Sequence, residues 1–337
     1  MYFNKYKKII LTVGAIIIVG GGVWILTSGH SFTIGASSQQ IETKKEGSIT
    51  GTVCDTANRR PVAVMMASDP EARPLSGIGE ADLVVEMPVT PNGVTRFMAV
   101  FQCQTPKEIG SVRSAREDFI PLAGGFNTIY AHWGGEHGAL DHLSQHVVDN
   151  VNALVYEGTT FLRKAGVKPP HNGFSTLDLL FSRAENLGYS LVENFIGYPH
   201  SDKVPAKNIS NIATMINLNY PYPNNVSWAY NQAQNLYTRN RTGAPEIDRN
   251  TGKQVTASVV VVMHTTSRIL YQGDQYIEVK TTGEGVADIY QGGVKISGTW
   301  KKDPARMNSK LYFYNLNGEE IKFMPGQIWI QISSPLP

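Results

Sequence analysis

The chain has 337 residues, of which 42% are hydrophobic and 17% charged, and its formal net charge is +2. A charge this balanced gives no general attraction to nucleic acid, so we expect no nucleic-acid partner. Two cysteines are too few to hold so long a chain together, so hydrophobic cores must stabilise the fold.

The N-terminal segment predicts a membrane anchor. Residues 9–29 carry no charged side chain, follow Lys5, Lys7 and Lys8, and are long enough to cross a bilayer as one helix. The lysines place residues 1–8 in the cytoplasm as a short stub and the bulk of the chain outside it. We therefore predict a single-pass cell-membrane protein that contacts the lipid bilayer through a transmembrane signal-anchor at 9–29. A cleaved signal peptide is the alternative.

Residues 30–49 predict a flexible linker, because the segment is rich in Ser, Gly, Thr and Gln and poor in apolar residues. After it, runs of β-forming residues bounded by Pro, Gly and Asn predict strands at 61–67, 82–89 and 95–102. The loop 91–93, Pro-Asn-Gly, predicts a hairpin between the last two strands.

The two cysteines flank these strands: Cys54 precedes the first and Cys103 ends the third. If those strands are neighbours, the sulfurs can meet in a disulfide, which an extracytoplasmic compartment favours. The alternative is that each is a small buried hydrophobic residue.

Helices are predicted after the third strand. Ser114 and Glu117 fit a capping box, which predicts a helix from Ser114 that stops before Gly124. A strand at 128–133 follows, and then a helix on which Ala139, Leu140, Leu143 and Val147 share one face. A third helix is predicted from Ser175 to Gly188.

From about residue 211 the pattern changes to short β-rich runs separated by turn signals such as Gly292-Gly293 and Asn317-Gly318. This is typical of an antiparallel sheet with almost no helix. The fold class is therefore α+β: a mixed α/β, sandwich-like N-terminal domain at 50–210, then a mostly antiparallel β domain at 211–337, behind one transmembrane helix.

The segment "SVRSARED", residues 111–118, places Arg113 and Arg116 close to a predicted helix start. Guanidinium groups beside the unpaired N–H groups of a helix N-terminus suit a bound anion. The alternative is that both arginines pair with internal carboxylates such as Glu86 or Asp118.

Several long blocks resemble one known family. They are "RPVAVMMASDPEARPLSGIGEADLVVEMPV" with "GVTRFMAVF", "IGSVRSARE", "YAHWGG" and "PPHNGFST", followed by "YTRNRTGAPEIDRNTGKQV", "GVKISGTWKK" and "GQIWIQI". In this order they are similar to the YerB-like family of bacterial envelope proteins. The resemblance implies an extracytoplasmic, commonly lipid-anchored protein of two parts whose biochemical role is uncharacterised.

The chain departs from this family pattern at three places. Ala67-Ser68 stands where relatives usually carry an Asp-Asn pair, and Glu246 stands where a histidine is usual. A membrane anchor replaces the lipidated cysteine. If the Asp or the His served chemistry in relatives, this chain lacks it.

The polar residues of the family blocks are the candidate ligand-binding set, since strand ends and glycine-flanked turns bring such groups together. Their arginines and histidines suit a phosphate, a carboxylate or a sugar acid. The alternatives are a turn-fixing role for Arg73, a solvent-facing strand position for Arg96 and a local hydrogen-bonding role for His171. The set is Arg73, Glu86, Arg96, Arg113, Ser114, Arg116, His132, His171 and Asn172.

Metal and nucleophile signals are weak. His142 and His146 have the i, i+4 spacing of helical metal ligands, but Leu143 stands where a zinc protease carries its glutamate. We predict ordinary surface histidines, no metal site and no cofactor. The sequence contains no G-x-S-x-G motif and no glycine-rich phosphate loop, so no catalytic residue is assigned.

The sequence thus predicts a membrane-anchored envelope protein that binds an anionic ligand, such as an envelope glycan or a phosphate, in an arginine-rich cleft. Two alternatives remain: an enzyme acting on cell-envelope glycans or phospho-linked carriers, and a structural partner of a membrane complex.

Overall fold

A computed structural model describes residues 45–270 and 275–336, together with the backbone of two N-terminal dipeptides. Those dipeptides, Ile18–Val19 and Gly22–Val23, pair as antiparallel strands. The remainder of the predicted anchor at 9–29, the stub at 1–8 and the linker up to residue 44 lie outside the described residues. Among the residues described, no helix is both long and apolar enough to cross a membrane. The chain divides into two units, 1–43 and 44–337, and the second is described below.

The second unit is built on a ten-stranded sheet. Its strands are β1 Val62–Ala67, β2 Leu83–Pro88, β3 Thr95–Phe101, β5 Ile129–His132, β6 Asn150–Asn152, β14 Val259–His264, β17 Gly283–Gln291, β18 Val294–Lys302, β19 Tyr312–Asn315 and β20 Ile328–Ser333. They lie side by side in the order β19-β18-β17-β14-β20-β2-β3-β1-β5-β6.

The other strands described in this unit form three smaller sheets. A five-stranded sheet contains β9 Met215–Leu218, β10 Val226–Asn231, β11 Leu236–Arg241 and β12 Ala244–Pro245 in that order, with β13 Thr256–Ala257 also paired to β11. A three-stranded sheet has the order β4-β8-β7, with β4 Ile109–Gly110, β7 Leu162–Arg163 and β8 Gly173–Ser175. Strands β15 Ser267–Ile269 and β16 Ile277–Val279 form a pair.

The helices are short. They are α1 Ile120–Gly125, α2 His137–Ser144, α3 Ala153–Tyr156 and α4 Leu177–Asn186, with 3-10 turns at Pro70–Ala72, Ile78–Glu80 and Glu117–Phe119. The coarse fold prediction is confirmed: the N-terminal part mixes helices and strands, and the C-terminal part is mostly antiparallel β.

The centre of the large sheet joins the two halves of the chain. Strand β20 lies parallel to β2, with Trp329 opposite Val84, and parallel to β14 on its other side. The strands predicted for the two domains therefore share one hydrogen-bonded sheet.

Both faces of this sheet are buried. In β1, Ala63 and Met65 belong to one apolar cluster, while Val62, Val64 and Met66 belong to the other. Continuous apolar runs of this kind are expected when a strand is covered on both sides, because successive side chains point to opposite faces. Helix α1 covers the first face, and α4 and the five-stranded sheet cover the second.

Several local predictions can be compared with the structure. The hairpin between β2 and β3 is confirmed, with Gly93 in the left-handed region that its turn requires. The Cys54–Cys103 disulfide is present. Helix α4 is capped by Thr176, not Ser175: the Thr176 hydroxyl accepts a hydrogen bond from the Leu179 N–H, and Gly188 follows the helix with a positive φ.

The prediction that a helix starts at Ser114 was wrong. Residues 111–116 are extended, and α1 begins only at Ile120, after the 3-10 turn Glu117–Phe119. The two arginines therefore do not lie in the first turn of a helix.

Candidate functional site

The extended segment 111–116 continues the large sheet at the point where β1 and β5 end. Its Arg113 N–H donates to the Met65 carbonyl (2.8 Å), and its Arg113 carbonyl accepts from the Trp133 N–H (2.9 Å). The Ala115 N–H donates to the Gly134 carbonyl (2.8 Å). Because these bonds fix the backbone, Arg113 and Arg116 are held at the carboxyl ends of two parallel strands.

A third arginine joins them from the neighbouring strand. Arg96 lies opposite Ala67 near the start of β3, is 5% exposed, and forms an ion pair with Asp69 (3.0 Å). We call Arg96, Arg113, Arg116 and His171 the arginine cluster. Burial lowers the pKa of Arg96 to about 10. The charge of Asp69 partly offsets this decrease, and the charges of Arg113 and Arg116 add to it. The three guanidinium groups are therefore close enough to repel one another.

The fourth member, His171, is also mostly buried. Burial lowers its pKa, and the Arg113 charge lowers it further. Near neutral pH the ring is therefore uncharged, and it adds a hydrogen-bonding group to the cluster without adding charge.

Several buried nitrogen atoms of the arginine cluster have no hydrogen-bond partner among the described residues. The Nε atoms of Arg96, Arg113 and Arg116 and the Nδ1 atom of His171 are buried and find no hydrogen-bond partner within the described part of the chain. Buried polar groups in folded proteins are nearly always paired, so several unpaired ones at one place need a reason.

The guanidinium groups have some other contacts. Arg116 donates to the Ala115 carbonyl (2.8 Å) and packs over the Tyr276 ring at 4.6 Å. Arg113 reaches the Pro170 carbonyl at 3.5 Å. Among residues 45–270 and 275–336, the ion pair of Arg96 with Asp69 is the one salt bridge in the cluster.

The carboxylates suggested as partners of Arg113 and Arg116 are engaged elsewhere. Asp118 accepts a hydrogen bond from the Val279 N–H (2.8 Å). Burial raises the pKa of Asp118 to about 8, helped by the charges of Glu278, Glu136 and Glu117, so this carboxyl does not behave as a salt-bridged one.

Glu86 forms a second group, buried between the large and the five-stranded sheets. It bonds Arg239 (2.5 Å) and Arg241 (2.7 Å), and both arginines also bond Glu246 (2.6 and 3.1 Å). We call these four residues the buried ion cluster. The side chains of Gln331 and Thr95 also donate hydrogen bonds to the carboxylate oxygens of Glu86.

The electrostatics of this cluster are those of a satisfied internal network. Burial alone would raise the pKa of Glu86, but Arg239 and Arg241 outweigh it and lower the pKa to about 2. The pKa of Glu246 is lowered in the same way, since the two arginines again outweigh burial. Glu86 is 0% exposed and its carboxylate is engaged by partners inside the protein, so in this structure it belongs to the buried ion cluster and not to the arginine cluster.

Two more predicted ligand residues have internal roles. His132 is 0% exposed and hydrogen-bonds with the Gly134 carbonyl (2.8 Å) and the Asn150 side chain (3.3 Å). Asn172 is nearly buried and accepts a hydrogen bond from Arg163 (3.0 Å). Both side chains therefore hydrogen-bond with groups of the protein itself.

The other two predicted ligand residues, Arg73 and Ser114, lie at two further places in the structure. Arg73 donates twice to the Ser68 carbonyl (3.0 and 2.6 Å) and borders the buried ion cluster, not the arginine cluster. Ser114 is half-exposed in the extended segment between two members of the arginine cluster. The nine predicted residues therefore do not share one cleft.

The metal hypothesis has no geometric support in the helix. Helix α2 ends at Ser144 and His146 has a positive φ, so His142 and His146 do not share a helix face. His142 instead lies 3.3 Å from Glu117.

Sequence reasoning missed Asp69, Arg239, Arg241 and Tyr276. Arg239 and Arg241 are two residues apart in β11 and so point to one face, which is the buried face. That spacing was a usable signal in "LYTRNR", but nothing local identified Glu86, 153 residues from Arg239, as the partner.

Comparison with known proteins gives one consistent family. Residues 49–190 match the family described as "Protein of unknown function (DUF3048) N-terminal domain", and residues 216–330 match its C-terminal domain. The chain is 35% identical over 277 residues to the protein called "Putative lipoprotein YerB" of Bacillus subtilis (strain 168), covering 81% of each chain.

A solved structure gives the same result. The crystal structure of YerB protein from Bacillus subtilis matches with a TM-score of 0.77 and 32% identity, covering 86% of this chain and 96% of that one. The resemblance inferred from the sequence blocks is confirmed: the chain belongs to the YerB-like family, whose two parts are described as domains of unknown function.

Proposed function

We propose that this protein is a membrane-associated envelope protein that binds an anionic group, such as a phosphate or the carboxylate of a sugar acid, at its arginine cluster. The observation that carries the proposal is the set of unpaired buried Nε atoms on Arg96, Arg113 and Arg116. An anion would satisfy hydrogen-bonding groups that the described residues leave unsatisfied and would relieve the repulsion between the three charges.

The membrane part of the proposal rests on two independent supports. Residues 9–29 form an uncharged run behind Lys5, Lys7 and Lys8, and the Bacillus subtilis relative carries the name "Putative lipoprotein YerB". We infer that this chain is held by a single-pass signal-anchor with its bulk outside the cytoplasm.

Protease treatment of intact protoplasts tests this orientation. We expect residues 45–336 to be digested and a short N-terminal stub to be protected. Complete protection of the folded part would show that the bulk of the chain lies in the cytoplasm.

The anion site is tested by Arg113→Gln and Arg116→Gln in the full-length chain. Melting temperatures are measured with and without sulfate, inorganic phosphate or a teichoic-type glycan at constant ionic strength, so that general screening does not mimic specific binding. A ligand at a hundred times its Kd should raise the wild-type Tm by about 5 °C. Both variants should lose this rise while keeping or slightly exceeding the wild-type Tm without anion, because one repelling charge is gone.

The matched control is Arg306→Gln, which removes an exposed arginine paired with Asp303. This variant should keep the anion response. If wild type ignores every anion and the two cluster variants melt many degrees earlier, the arginines are structural and the proposal fails.

A further inference from the structure

A cavity separate from the arginine cluster opens beside the buried ion cluster. Its volume is about 490 Å³, within the range of small-molecule pockets. Arg73, Arg241 and Glu246 line it together with an apolar wall that includes Leu75, Pro245 and Ile247.

The charges around this cavity do not balance. Arg73, Arg239 and Arg241 carry three positive charges, whereas Glu86 and Glu246 carry two negative ones. The Arg239 and Arg241 guanidiniums form ion pairs with the two carboxylates, so the remaining positive charge belongs to Arg73. Burial and the nearby Arg241 lower the pKa of Arg73 to about 10, so this guanidinium is still charged at neutral pH.

The hydrogen bonds of Arg73 leave one nitrogen for a ligand. Nε and Nη2 both donate to the Ser68 carbonyl, and Nη2 also lies 3.4 Å from the Asn224 Oδ1. Within the described residues Nη1 has no hydrogen-bond partner. Glu246 also lines the cavity, but Arg239 and Arg241 neutralise its charge.

We propose that this cavity binds a small amphiphilic carboxylate, with the carboxylate on Arg73 and the apolar part against Leu75, Pro245 and Ile247. A single available arginine nitrogen suits one monoanionic group better than a multiply charged phosphate. The apolar wall supplies the rest of the affinity by removing hydrocarbon from water.

The probe is hexanoate, titrated calorimetrically into the full-length chain in nanodiscs, with a titration into empty nanodiscs subtracted. Hexan-1-ol and hexylamine are the neutral and cationic controls. We expect hexanoate to bind at least tenfold more tightly than either control, and Arg73→Gln to weaken hexanoate at least tenfold.

Two further variants separate this site from a folding defect and from the arginine cluster. Ala244 lies on the exposed rim of the cavity, and Ala244→Trp fills the cavity while leaving Arg73 unsubstituted, so it should abolish hexanoate binding. Arg113→Gln should leave hexanoate binding unchanged, and Arg73→Gln should leave the sulfate response unchanged. If wild type does not bind hexanoate at millimolar concentration, or if Arg73→Gln and Ala244→Trp bind it as wild type does, the proposal is wrong.

Discussion

At the scale of single residues, Glu86 shows how a conspicuous charged residue can be structural. It has no exposed surface and lies between Arg239 and Arg241, whose planar groups also pack against aromatic rings, with Arg239 4.3 Å from the Trp329 ring centre. Removing one partner of a buried ion pair leaves an uncompensated charge in a medium of low dielectric constant. The cost of such a change is therefore larger than the net stability that the pair adds.

We expect Glu86→Gln to lower the free energy of unfolding by about 3–5 kcal/mol at pH 7, since two arginines lose a shared carboxylate. Urea unfolding followed by tryptophan fluorescence measures this. The control is Glu284→Gln, because Glu284 and its partner Lys301 are both exposed and such a pair adds at most about 1 kcal/mol. Equal unfolding midpoints for the two variants would contradict a structural role for Glu86.

The same residue gives a pH dependence. The pKa of Glu86 falls from 4.5 to about 2 on folding, so its contribution of about 3 kcal/mol is fully present above pH 4.5. It is lost as pH falls from about 4.5 toward 2. The unfolding free energy of wild type should therefore decline over this range, and that of Glu86→Gln should decline less steeply, because Glu246 and other carboxyls with lowered pKa values, such as Glu108, still contribute. Parallel curves for the two proteins would contradict this assignment.

At the scale of secondary-structure elements, the segment 111–116 shows tertiary hydrogen bonds overriding a local signal. Ser114 and Glu117 have the capping-box spacing, and a helix cap is worth about 1 kcal/mol. The segment instead bonds Met65, Trp133 and Gly134, which satisfies several backbone groups at once and places Val112 and Ala115 in the core. The extended form wins because it satisfies more groups and buries apolar surface.

Strand β20 is the element on which the large sheet depends, since it lies between β14 and β2 and carries the fully buried Trp329. We expect a chain ending at Gly326, which lacks Ile328–Ser333, to show no cooperative thermal unfolding. A chain ending at Ser334, which keeps the strand, should unfold like wild type in the same circular-dichroism melt. Cooperative unfolding of the shorter chain near the wild-type Tm would show that the two sides of the sheet are stable without β20.

At the scale of the whole molecule, the two matched family segments are not separate bodies of structure. Strands from residues 49–190 form one side of the large sheet and strands from the C-terminal segment form the other, and the two sides meet where β2 pairs with β20. The buried ion cluster also connects Glu86 of the first segment with Arg239, Arg241 and Glu246 of the second. The arginine cluster is likewise covered from both: Arg96, Arg113 and His171 belong to the first segment and Tyr276 to the second.

The sequence by itself determined the strands β1, β2 and β3, the hairpin between β2 and β3, and the change to β structure after residue 211. These follow from local patterns, namely β-branched runs, turn residues and residue spacing, which act over a few positions. The family followed from the order of its sequence blocks.

Only the tertiary structure decided which charged residues meet. The arginine cluster forms because three separate segments meet near the carboxyl ends of β1 and β5. Glu86 and Arg73 belong to the same family blocks, but Glu86 is part of the buried ion cluster and Arg73 borders it. Strand pairing across more than a hundred residues, such as β2 with β20, is fixed by the burial of both sheet faces and the closure of backbone hydrogen bonds. A local pattern identifies which residues form strands, but it does not identify the neighbours of those strands, and in this protein the neighbours decide which charges are neutralised.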